Sequence, residues 1–285
     1  MKGNKWTVLY LTGIILLTGC QVKSYEPEFG VCTKLSNYQM LSVVGYDFVE
    51  ESVGGFLVPD KPDSVFRNIL EEQRKTGAKV VSCNVFFPGH LKMVGETTMH
   101  EELLARGETA LKRAQIVGMS YIVLGSGRSR YVPEGYSREK ARQQFVDFCQ
   151  KLAPIAQKYN IVIVIEPLNS GETNLINTVA EGAQIVESVN HPNIQLLCDI
   201  YHMMRENEPE ENIATYGKYI RHCHIAEKEG RTAPGTEQGD FTPYFAALKK
   251  IGYKGGLSIE GRWENLKEQA PSALAYMKQQ FESLK

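Results

Sequence analysis

Residues 194–204 read IQLLCDIYHMM, an apolar run that stops on Asp199, with His202 three positions further on. A short apolar run bounded by polar residues fits a strand covered on both faces, as in a parallel sheet. The carboxylate then stands where strand gives way to loop. The same form recurs: IVIVIEP (161–167) ends in Glu166, IRHCHIAE (220–227) carries His222 and His224, and GGLSIEG (255–261) ends in Glu260. Four earlier runs, FGVCT (29–33), DFVEES (47–52), KVVSCNVFF (79–87) and YIVLGS (121–126), complete a set of eight candidate strands.

Between them lie stretches of helical period such as DSVFRNILEEQRKTG, HEELLARGETALKRAQIVG, REKARQQFVDFCQKLAPIAQKYN and NTVAEGAQIVESVN, several closing on Gly or Asn as helix ends do. Eight strand–helix units with no dividing linker predict a single (β/α)₈ barrel over 29–285, a fold that typically takes about 250 residues. The rival, a doubly wound open sheet for a nucleotide, calls for GxGxxG after its first strand, and the sequence has none there.

A barrel keeps its chemistry at the C-terminal ends of its strands, and here the last four strands bring Glu166, Asp199, His224 and Glu260 to one rim. Strand alternation sets Val162, Val164 and Glu166 on the inward face and Ile161, Ile163 and Ile165 on the face toward the helices. By the same alternation Cys198 and Cys223 face the helix layer as small buried hydrophobes, and His222 points inward one layer deeper than His224. Three carboxylates and an imidazole in one mouth repel and desolvate one another unless a cation holds them, so the set predicts one divalent metal ion. Oxygen and nitrogen donors without thiolate suit Mn²⁺, Mg²⁺ or Co²⁺, with Mn²⁺ the first expectation, and admit Zn²⁺. The turn after Asp199 returns His202 to the same pocket, where it is placed to hydrogen-bond a substrate hydroxyl.

Lys and Arg number 32 against 33 Asp and Glu, for a formal charge of −1, and no basic run is long enough to track a phosphate backbone. Nucleic acid is not an expected partner. Lys2 and Lys5 precede an apolar run too short to span a bilayer comfortably, which ends in LTGC; residues 1–20 read as an export signal. LTGC resembles the bacterial lipobox, which implies lipidation of Cys20 and a protein exported and anchored to a membrane by that lipid. Residues 21–28 are a polar linker, and the five remaining cysteines, odd in number and without a CxxC pair, do not form a disulfide framework.

Together EPLNSGETNLINTVAEG, CDIYHM, HCHIAE followed by GRTAPG, and LKKIGYKGGLSIEGRW resemble the xylose isomerase-like TIM barrels, in particular the sugar phosphate isomerase/epimerase group. The resemblance covers nearly all of the chain past residue 28. It implies metal ligation by Glu166, Asp199, His224 and Glu260, the four residues already selected, and proton exchange by Glu166 and Glu260. It further implies that Glu172, His202 and Arg231 contact a sugar substrate. Endonuclease IV, a relative with three zinc ions, needs further histidines that GSGRSR and GRTAPG lack. Ser170-Gly171 and PGTEQGD depart from the group's usual loops, which leaves the sugar open.

An ion bridging a ketose carbonyl and its neighbouring hydroxyl eases loss of the intervening C–H proton by stabilising an enediolate. Return of the proton gives epimerisation or isomerisation, and loss of a neighbouring oxygen makes a dehydratase or lyase. A sugar-binding lipoprotein that keeps the metal without turnover is the reading from another class. Arg128 and Arg130 are read either as an anion site or as solvated loop charges, and Trp263 and Phe87 either as a platform for a sugar ring or as packing.

Overall fold

The apolar runs become parallel strands because each buries both of its faces, one against the barrel interior and one against helices. The computed structural model describes residues 27–284. Its strands are β1 (Glu28–Cys32), β2 (Phe48–Ser52), β3 (Val80–Asn84), β4 (Tyr121–Leu124), β5 (Val162–Ile165), β6 (Ile194–Asp199), β7 (Ile220–Ile225) and β8 (Gly256–Ile259). They pair in chain order, and β8 closes onto β1 through Glu28 to Val31. This is the expected (β/α)₈ barrel, and each strand falls within one of the eight runs except for the first residue of β1.

The outer layer is α1 (Tyr38–Val44), α2 (Asp63–Thr76), α3 (His100–Val117), α4 (Arg138–Lys158), α5 (Val179–Val189), α6 (Ile200–Arg205), α7 (Glu211–Tyr216), α8 (Thr242–Lys250) and α9 (Leu266–Ser283). The long ones follow their periodic stretches, and α1, α2, α3 and α5 end on Gly45, Gly77, Gly118 and Asn190 in left-handed conformation. Helices α1, α6 and α7 do not stand out in the sequence, since six or seven residues hold too few turns to display a period.

The inward and outward faces fall as alternation predicts. Val123, Val164 and Leu197 form a cluster of their own, while Ile163, Ile165, Cys198 and Cys223 belong to the larger core that includes the helices. All five cysteines among the described residues are free. The signal and lipobox reading, Cys20 included, lies outside the described residues.

Candidate metal centre at the barrel mouth

Asp199 ends β6 and at the same time caps α6. Its Oδ1 accepts from the backbone N–H of Tyr201 at 2.8 Å and of His202 at 3.4 Å. The cap fixes the carboxylate's direction and leaves Oδ2 free. Oδ2 is buried without a hydrogen-bond partner, a costly state that a ligand would relieve.

Glu166 follows β5, and on β7 the imidazole of His224 reaches it, with Nδ1 3.0 Å from Glu166 Oε1 and 3.5 Å from Glu260 Oε2. One donor atom each from Glu166, Asp199, His224 and Glu260 lie within 4.8 Å of one another. The structure thus brings together the four residues that the strand ends selected. Close approach is built in on the β4 side, where a Cβ at Gly125 would sit 2.2 Å from Glu166 Oε2.

The chain's own cations balance this negative charge. Burial pushes Glu260 upward, but His224 and Arg231 outweigh it and bring it to about 2. Burial and the charge of Glu260 raise Glu166 instead. Asp199 is raised to about 6, by burial first, with Arg231 and His224 opposing. Burial disfavours the charge on His224, yet Glu50, Cys32 and Glu260 hold its pKa well above the usual histidine value. Three carboxylates, one of them with an unpartnered buried oxygen, and one imidazole nitrogen fit a hard or borderline divalent cation.

The expected substrate residues also meet here. Arg231 donates to Glu260 Oε2 and, through Nη1, to Glu172 Oε1 at 3.1 Å, and its guanidinium lies 4.7 Å from the Tyr201 ring centre. His202 is buried. Its Nδ1 accepts from the backbone N–H and the side-chain amide of Asn169 at 3.0 and 2.8 Å, so the ring hydrogen resides on Nε2. Nε2 has no hydrogen-bond partner and lies 3.5 Å from Asp199 Oδ2, on the side of the metal cluster. Burial lowers the His202 pKa and keeps the ring a neutral donor.

Three residues at this end escaped the sequence reading. Asn84 ends β3 and donates to Glu260 Oε1 at 2.7 Å. Asn169 orients His202, and Glu50 of β2 accepts from both His222 and His224. Of these only Glu50 had a signal, a charge at an inward position of a strand. His222 is the deeper hydrogen-bonded core histidine that alternation allowed.

Two readings are corrected. Arg130 is neither an anion site nor a solvated charge, because it is fully buried and its guanidinium donates to the carbonyls of Leu124, Glu166 and Leu175 at 3.1, 2.7 and 3.1 Å. Phe87 is not a sugar platform, since it is buried between Phe86 and Phe148 of α4. Arg128 is exposed, and Trp263 packs partly against the core.

Residues 39–280 match the family model described as Xylose isomerase-like TIM barrel. The chain belongs to that family. Among relatives, it is 34% identical over 175 residues to the L-ribulose 3-epimerase of Methylomonas sp. (strain DH-1), covering 58% of this chain and 59% of that protein. The chain therefore spans less than two thirds of that relative's length. It is 26% identical over 252 residues to the probable ketose 3-epimerase of Synechocystis sp., covering 84% of this chain and 85% of that one. A solved D-psicose 3-epimerase, crystallised in the presence of D-fructose, shares the fold with a TM-score of 0.77 at 20% identity, covering 89% of this chain and 99% of its own. Within this xylose isomerase-like family the strand-end carboxylates are thus set on a fold common to several sugar-named relatives.

Proposed function

We propose that the protein is a divalent-metal-dependent sugar isomerase or epimerase that moves a proton at a carbon next to a carbonyl. The observation that carries this reading is the cluster of Glu166, Asp199, His224 and Glu260 donors within 4.8 Å, with the carboxylates of Glu166 and Glu260 just past the ends of the non-adjacent strands β5 and β8. The names of the epimerase relatives support the same chemistry and a sugar substrate.

When bound, the ion supplies an electrophile for the substrate's oxygens, and the four residues above hold it, Mn²⁺ being the best match. The chain does the rest. Glu260 accepts from Asn84 and Arg231, which favour its carboxylate form, so it takes the proton. Glu166, raised by burial, returns one from its own side of the mouth. His202 Nε2 and the Arg231–Glu172 pair bind substrate hydroxyls and fix which C–H faces Glu260. The Ser170-Gly171 loop is tied down by Glu206, whose Oε1 accepts from Ser170 N–H at 2.6 Å, and this loop with PGTEQGD sets the sugar's outer contacts.

Incubation with unphosphorylated keto-sugars in D₂O with Mn²⁺ tests the proposal. Deuterium at the carbon beside the carbonyl is the expected result. Loss of water or of a glycosyl group instead identifies a dehydratase or lyase, and binding with neither identifies a non-catalytic sugar-binding protein. We propose in addition that the protein is exported and anchored through Cys20, for which the test is incorporation of labelled palmitate that a Cys20→Ser change removes.

A further inference from the structure

Beneath the metal cluster, β2, β3 and β7 place Glu50, Ser82, His222 and His224 in one buried chain of hydrogen bonds. Glu50 Oε1 lies 3.0 Å from His224 Nε2. Its Oε2 receives Ser82 Oγ at 2.7 Å and His222 Nε2 at 2.7 Å. Both oxygens are therefore engaged, and the side chains of Glu50 and both histidines have no solvent exposure. The other nitrogen of His224, Nδ1, points the opposite way, to Glu166 and Glu260.

We propose that Glu50 is a positioning residue, which fixes the ring of His224 so that Nδ1 is the nitrogen offered to the metal ion. The inference rests on the metal reading above. A carboxylate only accepts, so the nitrogen buried against Glu50 keeps its hydrogen, and a bound ion would displace the hydrogen on the other side alone, where Nδ1 faces Glu166 and Glu260. The ring plane is set by the same bond. Because water does not reach the pair, nothing replaces Glu50 when it is changed. His222 and Ser82 hold the carboxylate in turn, so orientation passes from the wall of β2 and β3 across the interior to β7. A glutamate in the barrel interior is otherwise costly, and this arrangement gives it partners on both oxygens.

The test is Mn²⁺ affinity, read from the free-ion EPR signal, for intact wild-type protein and for Glu50→Gln and Glu50→Asp. Glu50→Gln is expected to bind about 10–100-fold more weakly with an unchanged circular dichroism spectrum. Glu50→Asp, which restores the negative charge and the second acceptor oxygen that the amide lacks, is expected to recover part of the loss. Should Glu50→Gln not fold, wild-type protein loaded with Mg²⁺ decides by histidine ¹⁵N NMR. The expected spectrum has a hydrogen on Nε2 of His224 and none on Nδ1. Wild-type affinity in Glu50→Gln, or the reverse hydrogen placement, overturns the positioning role while leaving the metal reading intact. A wild-type protein that binds no ion overturns both.

Discussion

Glu260→Gln is expected to lower turnover by about 10²–10⁴-fold, the span that a positioned general base contributes. The change keeps the side chain's shape but removes its charge and its capacity to take a proton. Among the four clustered residues Glu260 is the most open, with its side chain 21% exposed against 6% or less for the other three, which suits the proposed role of taking a proton from substrate. Its two oxygens already receive Asn84 and Arg231, and an amide at this position would set its own N–H₂ group against one of these donors. On the proposed reading the variant also loses a charged ligand. The two effects separate when turnover and deuterium incorporation are measured at saturating Mn²⁺, with Mn²⁺ affinity determined alongside. A defect that saturation cures assigns Glu260 to holding the ion alone. Unimpaired exchange at the substrate carbon would remove it from the reaction altogether.

The four clustered residues were legible in the sequence because a barrel converts position along a strand into position in space. A polar residue that stops an apolar run, as at IVIVIE, IQLLCD and LSIE, is delivered to one rim whatever the intervening helices do. Alternation then told Glu166 from its neighbours and placed Cys198 against the helices. What the pattern does not contain is the angular direction of residues past the strand end. Asn169 lies in the loop after β5, where orientation comes from hydrogen bonds and not from any period, and Asn84 ends β3 inside the longer run KVVSCNVFF, which does not mark it as the strand's last residue. Glu50 was hidden differently. It stands in DFVEES beside a second glutamate, Glu51; alternation marks one of the two as inward, but the histidines that make burial tolerable lie 172 and 174 positions away. Arg130 was misread for a related reason, since GSGRSR looks like an exposed loop and only the tertiary fold shows that its second arginine turns under the strands.

That burial makes a strong prediction for Arg130→Met. The guanidinium ties the end of β4, through Leu124 O, to the carbonyl of Glu166 after β5 and to those of Leu175 and Ile176 in the following loop. Leu124 O and Ile176 O also accept backbone N–H groups, from Glu166 and Leu168, and so keep a partner in the variant. The carbonyls of Glu166 and Leu175 lose a donor that methionine cannot supply. A buried polar group left unpaired costs about 1–3 kcal/mol, so two of them predict a loss of about 2–6 kcal/mol in urea unfolding. One term acts in the opposite direction, because burial already strains the charged arginine and brings its pKa down to about 10, and an apolar side chain of similar length removes that penalty. The carbonyls still decide the sign, since water does not reach them to take the place of the guanidinium. Release of the Glu166 backbone should also loosen a proposed metal ligand, so weaker Mn²⁺ binding is expected together with the stability loss. If Arg130→Met unfolds within about 0.5 kcal/mol of wild type, a shift ordinary for surface substitutions, the bonds to the strand ends are not what holds this side of the mouth.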